Sequence, residues 1–358
     1  MSGPRMVALG GGHGLAASLR ALRHLSENIT AVVTVADDGG SSGRLRDEFD
    51  ILPPGDLRMA LASLCEDTSW GHQWSTVLQH RLGGDGELSG HALGNLLLMS
   101  LWELSEDPVR ALDIAGRLLN IRGRVLPMST VPLQIEARIS APTYSHASVG
   151  AQPGGGLGGR GPDLDTPTVE HDDVIRGQSA VASAKGKVRE ISLLPHNPPA
   201  CAEAVEAITV ADWVILGPGS WFTSVMPHLL VPDLRRALVD TPARRILTLN
   251  VGTHDGETAG FSIAEHVQTL HAHAPHLAFD YVVADPSVTG ADESRLRDAC
   301  TEVGAELVIS TVGKLRKQGE HDTLRLAAAY RDVILDSHTA GAGGDEVSLH
   351  RPRLDERG

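Results

Sequence analysis

What the chain lacks narrows its function first. Its 358 residues hold three cysteines, Cys65, Cys201 and Cys300. They are far apart and odd in number, which argues against a disulfide framework or a cysteine zinc site and fits a reducing compartment. Lysine is almost as scarce, limited to Lys185, Lys187, Lys314 and Lys317 among 31 basic residues. A P-loop ends in Gly-Lys-Ser/Thr, and neither Gly186-Lys187-Val188 nor Gly313-Lys314-Leu315 supplies it, so the ordinary P-loop NTPase is excluded. No basic block exceeds Arg235-Arg236 or Arg244-Arg245, and the net charge is −14, which disfavours nucleic acid as a partner. No apolar run approaches the roughly 20 residues that span a bilayer. Residues 7–9 run straight into glycines, so no signal peptide is expected. The expectation is a soluble cytoplasmic protein. Aromatics make up 3% of a chain that is 41% apolar, so the core must be built mainly from Leu, Val, Ile and Ala.

What is present alternates between strand and helix. Residues 6–9 are an apolar run, followed by Gly10-Gly11-Gly12-His13-Gly14 and a helical stretch with Leu15, Leu19, Leu22 and Leu25 on one face. Residues 29–35 read as a buried strand, which completes a βαβ unit. Residues 36–43, Ala-Asp-Asp-Gly-Gly-Ser-Ser-Gly, read as a loop throughout. Pro53-Pro54-Gly55-Asp56 opens a helix to Leu64, with Asp56 as its N-cap. Further helices are expected over 91–104 and 108–119. The middle changes to strands at 131–141 and 188–193, with a weaker one at 180–184. Residues 148–167 are glycine-rich and read as a mobile insert. A second α/β half follows, with strands at 213–216, 245–251, 280–284 and 307–310 and helices at 262–273 and 322–334. The fold class is therefore Rossmann-like α/β, with a mostly parallel sheet flanked by helices and a small β-rich insertion at about 125–195. Residues 1–338 are taken as one domain and 339–358 as a disordered tail.

Such sheets bind ligands beyond the carboxyl ends of their strands. The candidates are therefore the loops that follow strands. Gly11, Gly12 and Gly14 let a backbone approach a phosphate before a helix N-terminus, with His13 as a loop donor. Asp37 and Asp38 stand where a Rossmann fold places its ribose-binding acid, and could grip a hydroxyl pair or Mg²⁺. Gly39, Gly40, Ser41 and Ser42 then offer amides and hydroxyls. Arg58 reads as a pocket residue if it points inward. His91 and Asn95, four apart on one helix face, are either a buried polar pair or two pocket donors. Gly217, Gly219 and Ser220, with Thr223 and Ser224, repeat the strand-glycine-hydroxyl pattern. Two such turns facing one crevice would suit a diphosphate. Asn250, Thr253 and Glu257 would complete the far wall. The histidines 266, 271, 273 and 276 lack metal-ligand spacing and read as a polar helix end. No nucleophile–base pair is evident, and no cofactor is firmly implied.

These motifs make the resemblance specific. Gly10-Gly11-Gly12 with Gly14-Leu15, residues 33–46 from Val33 through Asp37-Asp38-Gly39-Gly40-Ser41-Ser42-Gly43-Arg44, Pro53-Pro54-Gly55-Asp56 plus Arg58, Gly90-His91 with Gly94-Asn95, 216–220 with Thr223-Ser224, Asn250-Val251, Gly256-Glu257-Thr258 and Glu265-His266-Val267 follow one another in order. Together they resemble the gluconeogenesis factor (YvcK) branch of the CofD-like superfamily. His13 departs from its usual Thr, Met59 from its common Asn, and the glycine-rich insert is longer. The resemblance implies a regulatory factor of the cytoplasm that binds a nucleotide sugar, UDP-N-acetylglucosamine. It would link growth on gluconeogenic carbon to cell-wall synthesis and cell shape, through homo-oligomers or protein partners. The sister branch implies an alternative, a Mg-dependent 2-phospho-L-lactate transferase of deazaflavin coenzyme synthesis, with Asp37 and Asp38 on the metal.

Overall fold

A computed structural model describes residues 3–141, 171–184, 187–252, 258 and 261–342. The short apolar runs become strands, buried on both faces in the middle of the sheet and partly exposed at its β10 edge. β1 (Met6–Gly10), β2 (Ile29–Val33) and β3 (Arg124–Pro127) come from the first half. The second half supplies β7 (Trp213–Leu216), β8 (Arg244–Thr248), β9 (Tyr281–Ala284) and β10 (Glu306–Ile309). Between them, β4 (Gln134–Ala141), β5 (His171–Arg176) and β6 (Lys187–Leu194) form a separate antiparallel sheet in the order β5-β4-β6. A hairpin of β11 (Gly313–Lys314) and β12 (Lys317–His321) follows β10.

The main sheet has seven parallel strands in the order β10-β9-β8-β7-β1-β2-β3. From β1 the chain winds outward through β2 to β3, then returns to the other side of β1 and winds outward again. The order reverses between β1 and β7, which are hydrogen-bonded neighbours with Leu9 opposite Leu216. Their continuous apolar character, Met-Val-Ala-Leu and Trp-Val-Ile-Leu, is what a strand covered by helices on both faces requires.

The helices that matter for the site are α1 (Gly12–Leu22), α2 (Gly40–Phe49), α3 (Pro54–Leu64), α4 (Ser69–Gln79) and α5 (Leu93–Ser105). α1 buries Leu15, Leu19 and Leu22. A proline opens α3 at its first turn, where its missing N–H costs nothing.

Several expectations need correction. Residues 40–43 are not loop but the first turn of α2, with the Gly43 amide donating to the Gly39 carbonyl at 3.0 Å. The weak strand expected at 180–184 is the short helix Gln178–Ala182. β3 belongs to the main sheet, so the antiparallel insertion begins only at Gln134. The terminal helix runs Thr323–Ala342, past the expected start of the tail, while 343–358 and the glycine-rich 148–167 lie outside the described residues. α4 is a helix that local reading leaves out, although Thr68 caps it and Trp70, Trp74, Val77 and Leu78 fall on one face; most of its residues face solvent.

Candidate functional site

The strand order reverses between β1 and β7, and the two glycine turns meet at the carboxyl edge of the sheet there, where folds of this kind open their ligand crevice. A Cβ on Gly14 would stand 2.2 Å from the Pro218 carbonyl oxygen and 2.6 Å from the Gly219 Cα. Only glycine allows that approach. It draws the first turn of α1 against the loop that follows β7. His13, at the second position of α1, is exposed on this rim.

Asn250 grips the second turn from both sides. Its Oδ1 accepts from the Gly219 amide at 2.9 Å and its Nδ2 donates to the Gly219 carbonyl at 2.8 Å. Asn250 lies two residues past β8, not within a longer strand as expected. The hydroxyls of Ser220 and Thr223 are hydrogen-bonded, and the buried segment Trp221–Val225 winds as a π-turn, with the Val225 amide reaching the Ser220 carbonyl at 3.1 Å. Single π-turns of this kind concentrate at functional sites.

A network that the sequence did not disclose backs this loop. Ser18 Oγ donates to the Gly217 carbonyl at 3.1 Å and lies 2.9 Å from the Tyr330 hydroxyl, itself 2.9 Å from Thr248 Oγ1. All three side chains are fully buried, and burial pushes the Tyr330 phenol up to about 12. The terminal helix is thereby tied to the back of the glycine turn.

On the β2 side, the two adjacent aspartates divide. Asp37 Oδ1 accepts from the Gly39 amide at 2.9 Å, an Asx turn that shapes its own loop. Asp38 Oδ1 instead accepts from both the amide and the hydroxyl of Ser179, each at 2.9 Å. Ser41 and Ser42 are buried and hold the scaffold. Ser41 Oγ meets His91 Nδ1 at 3.0 Å and accepts from Asn95 Nδ2 at 2.9 Å, and Ser42 Oγ accepts from the Gly55 amide at 3.0 Å. His91 and Asn95 do not share a helix face, because His91 precedes α5, yet both converge on Ser41.

Asp56 is not a helix cap. α3 begins with Pro54, and Asp56 sits inside its first turn, where its carboxyl accepts from the Gly12 amide. Asp56 Oδ2 has no hydrogen-bond partner, and a Cβ on Gly11 would lie 2.4 Å from it. Burial first, and then the charge of Asp37, push Asp56 up to about 7. Arg58, 5% exposed, is lowered by burial and by Arg81, against the pull of Asp56 and Asp37. Arg58 Nε and Asn95 Oδ1 are also buried without partners.

Asp38 Oδ1 is engaged by Ser179, while Asp37 lies close enough to Asp56 for its charge to act on it. A Cβ on Gly55, the residue before Asp56, would stand 2.9 Å from Asp37 Oδ2. Two carboxylates fit Mg²⁺ when ligand phosphates and water complete its shell. Among the described residues no three His, Cys, Asp or Glu side chains are grouped to hold a metal on their own. His266 packs edge-on to Trp221 at 5.1 Å, part of the helix packing rather than a ligand set. Thr253 and Glu257, expected on the far wall, lie outside the described residues.

The order of the sheet and the meeting of two glycine turns at its reversal define a doubly wound, Rossmann-like protein. The model of the family described as 2-phospho-L-lactate transferase CofD matches residues 6–320, and the chain belongs to that family. A provisionally named gluconeogenesis factor of Mycobacterium tuberculosis is 50% identical over 359 aligned residues, covering 98% of each chain. The gluconeogenesis factor of Bacillus subtilis is 34% identical over 270 residues, covering 75% of both. A crystal structure of a UPF0052 family member from Bacillus halodurans superposes with a TM-score of 0.74 at 30% identity, covering 92% of this chain and 99% of the other. No helix among the described residues is long and apolar enough to cross a membrane.

Proposed function

We propose that this chain is a regulatory binder of a nucleoside diphosphate sugar, UDP-N-acetylglucosamine in the first instance, acting in the cytoplasm to link gluconeogenic carbon supply to cell-wall synthesis. The observation that carries this reading is the contact of the Gly14 and Pro218-Gly219 turns at the sheet's reversal. Amides at the first turn of α1, beside the hydroxyls of the second turn, suit a diphosphate, which needs no basic surface when amides and a helix N-terminus meet it. Asp37, just past the end of β2, is the carboxylate that would meet ribose or sugar hydroxyls. The gluconeogenesis factor name of its relatives supports the metabolic side of the reading. Calorimetry with UDP-N-acetylglucosamine, GDP and NAD tests it. Saturable heat with the first is expected, and its absence overturns the assignment.

A second reading follows from Asp37 and Asp56 and from the description of the family model. Here the two carboxylates would hold Mg²⁺ over the diphosphate, and a deazaflavin hydroxyl would take the phospholactyl group from a guanosine diphosphate-linked donor, the bond between the two phosphates breaking as guanosine monophosphate leaves. Incubation with both substrates and Mg²⁺, analysed for the transferred product, decides between the readings. Product that disappears on chelation replaces the first reading with the second.

A further inference from the structure

Helix α5 carries more apolar surface than its place in the fold uses. From Leu93 to Ser105 it contains a single charge, Glu103. Its inner face is Gly94, Asn95, Leu98 and Trp102, all buried, with Asn95 bonded to Ser41 at 2.9 Å. At 3.6 residues per turn, the opposite face is Leu93, Leu96, Leu97, Ser100 and Leu104. That face stays open. Leu104 is 83% exposed and Leu93 39%, Ser100 is exposed, and Leu96 and Leu97 are half-buried. A surface helix normally turns charged side chains outward, and this one turns leucines. Ser100 does not make the stripe polar, because its Oγ donates to the Leu96 carbonyl of the same helix at 3.0 Å.

The stripe is complementary to itself. Two copies of α5 crossing antiparallel, with a two-fold axis between Leu98 and Met99, would set Leu93 against the partner's Leu104 and Leu97 against the partner's Ser100. The small residue falls near the crossing, where backbones approach most closely, and the large ones fall at the ends. The charges at the two ends are complementary as well. Residues 80–93 form a ribbon whose base pairs Arg81 with Ala92, beside the start of α5, and Arg81 donates to the Gly90 carbonyl at 2.8 Å. Asp85 and Glu87 lie in the turn at the other end of that ribbon. The far end of α5 carries Glu103 and Glu106, followed by Asp107, which caps the next helix, and one base, Arg110. Among the described residues, Arg81, Glu103 and Glu106 form no ion pair. An antiparallel pair brings Arg81 of each copy to the acidic end of the other.

We infer that the outer face of α5 is the interface of a two-fold homodimer, in which a second copy of this chain covers the leucine stripe, whatever ligand the crevice takes. Stable interfaces cover about 800 Å² per partner, more than one helix face presents. α4, which packs against α5, adds the half-exposed Trp70.

Sedimentation velocity of the full chain at tens of micromolar tests the interface. A dimer is expected, and a chain that stays monomeric overturns it. Leu104→Glu should weaken association more than about ten-fold by burying an unpaired charge, while circular dichroism stays native because the side chain is exposed. Leu93→Glu provides a second variant should the first fail to fold. A dimer that both variants leave intact is formed by another face and overturns the assignment. Cross-linking tests the antiparallel register. Leu93→Cys mixed with Leu104→Cys should form a disulfide-linked dimer on mild oxidation, whereas either variant alone should not, since its two thiols would sit at opposite ends of the helix pair. The three native cysteines are buried and give no background. A mixture that fails to cross-link, or a single variant that cross-links with itself, overturns the pairing.

Discussion

Asp38 and Ser179 are 141 positions apart, yet the Ser179 amide and hydroxyl both donate to one oxygen of the Asp38 carboxylate at 2.9 Å. The preceding Gly177, at φ +96°, brings its backbone so close that a Cβ there would stand 2.1 Å from Asp38 Oδ2. The Asp38 carboxylate therefore fastens the antiparallel insertion to the crevice. The Gln178–Ala182 helix also packs against Trp221–Val225, so the insertion touches loops from both halves of the sheet. Asp38→Ala should cost about 1–3 kcal/mol by removing a charged acceptor of two bonds, and Ser179→Ala about 1 kcal/mol. Thermal melts give both values, and limited proteolysis should show earlier cleavage in the insertion. Unchanged melts and cleavage would mean the latch holds nothing.

Asp56 makes stability depend on pH. Its carboxyl is raised from 3.8 to about 7 in the folded chain, so the native state holds that proton more tightly than the unfolded state. The resulting contribution is fully present below pH 3.8 and is lost progressively as pH rises to about 7. The loss is on the order of 4 kcal/mol at most. Asp56→Asn cannot ionise, so between pH 5 and 8 its urea-unfolding stability should fall less than that of the wild type. Parallel curves for the two proteins would show that Asp56 titrates normally.

The Ser18–Tyr330–Thr248 network predicts a long-range effect on the glycine turn. Tyr330→Phe removes the hydroxyl between two buried partners and should cost about 1–3 kcal/mol. Because Ser18 also holds the Gly217 carbonyl, nucleotide-sugar affinity should weaken several-fold in the folded variant. Affinity equal to wild type at a lowered melting temperature would restrict the network to stability.

Gly14→Ala tests the contact between the two halves. The added methyl would overlap the Pro218 carbonyl, and the loop can relieve this only by withdrawing from the α1 amides. Ligand affinity should drop more than ten-fold while circular dichroism stays native. A variant that binds as tightly as wild type would mean the crevice tolerates the opened turn.

Much of this architecture was legible from local signals. The run Trp213–Leu216 was bounded as the structure has it, because continuous apolar character between polar flanks is a property of the segment alone. The Pro108–Leu119 helix was equally readable, with proline at its start and an apolar stripe. α2 was not readable at its start. Gly40 and Gly43 oppose helix formation, and the turn is held from outside by the Ser42–Gly55 bond and by Arg46 donating to the Leu133 carbonyl at 2.6 Å. Asp56 resembled an N-cap because its position after Pro-Pro-Gly fits one. Its actual partner is the Gly12 amide, 44 residues earlier in the sequence.

The sequence by itself determined that two strand-glycine-helix turns exist, that acids follow the second strand, and that the core is aliphatic. These follow from short-range patterns of polarity and backbone freedom. Only the tertiary structure decided which of these residues face one another. Asp38 turned to Ser179 and Asp56 to Gly12, while Arg44 and Arg81 turned to backbone carbonyls of the 80–93 loop. The cause is physical: a buried polar group must find a partner wherever folding brings one, and the sheet's reversal brings together segments that no local pattern connects.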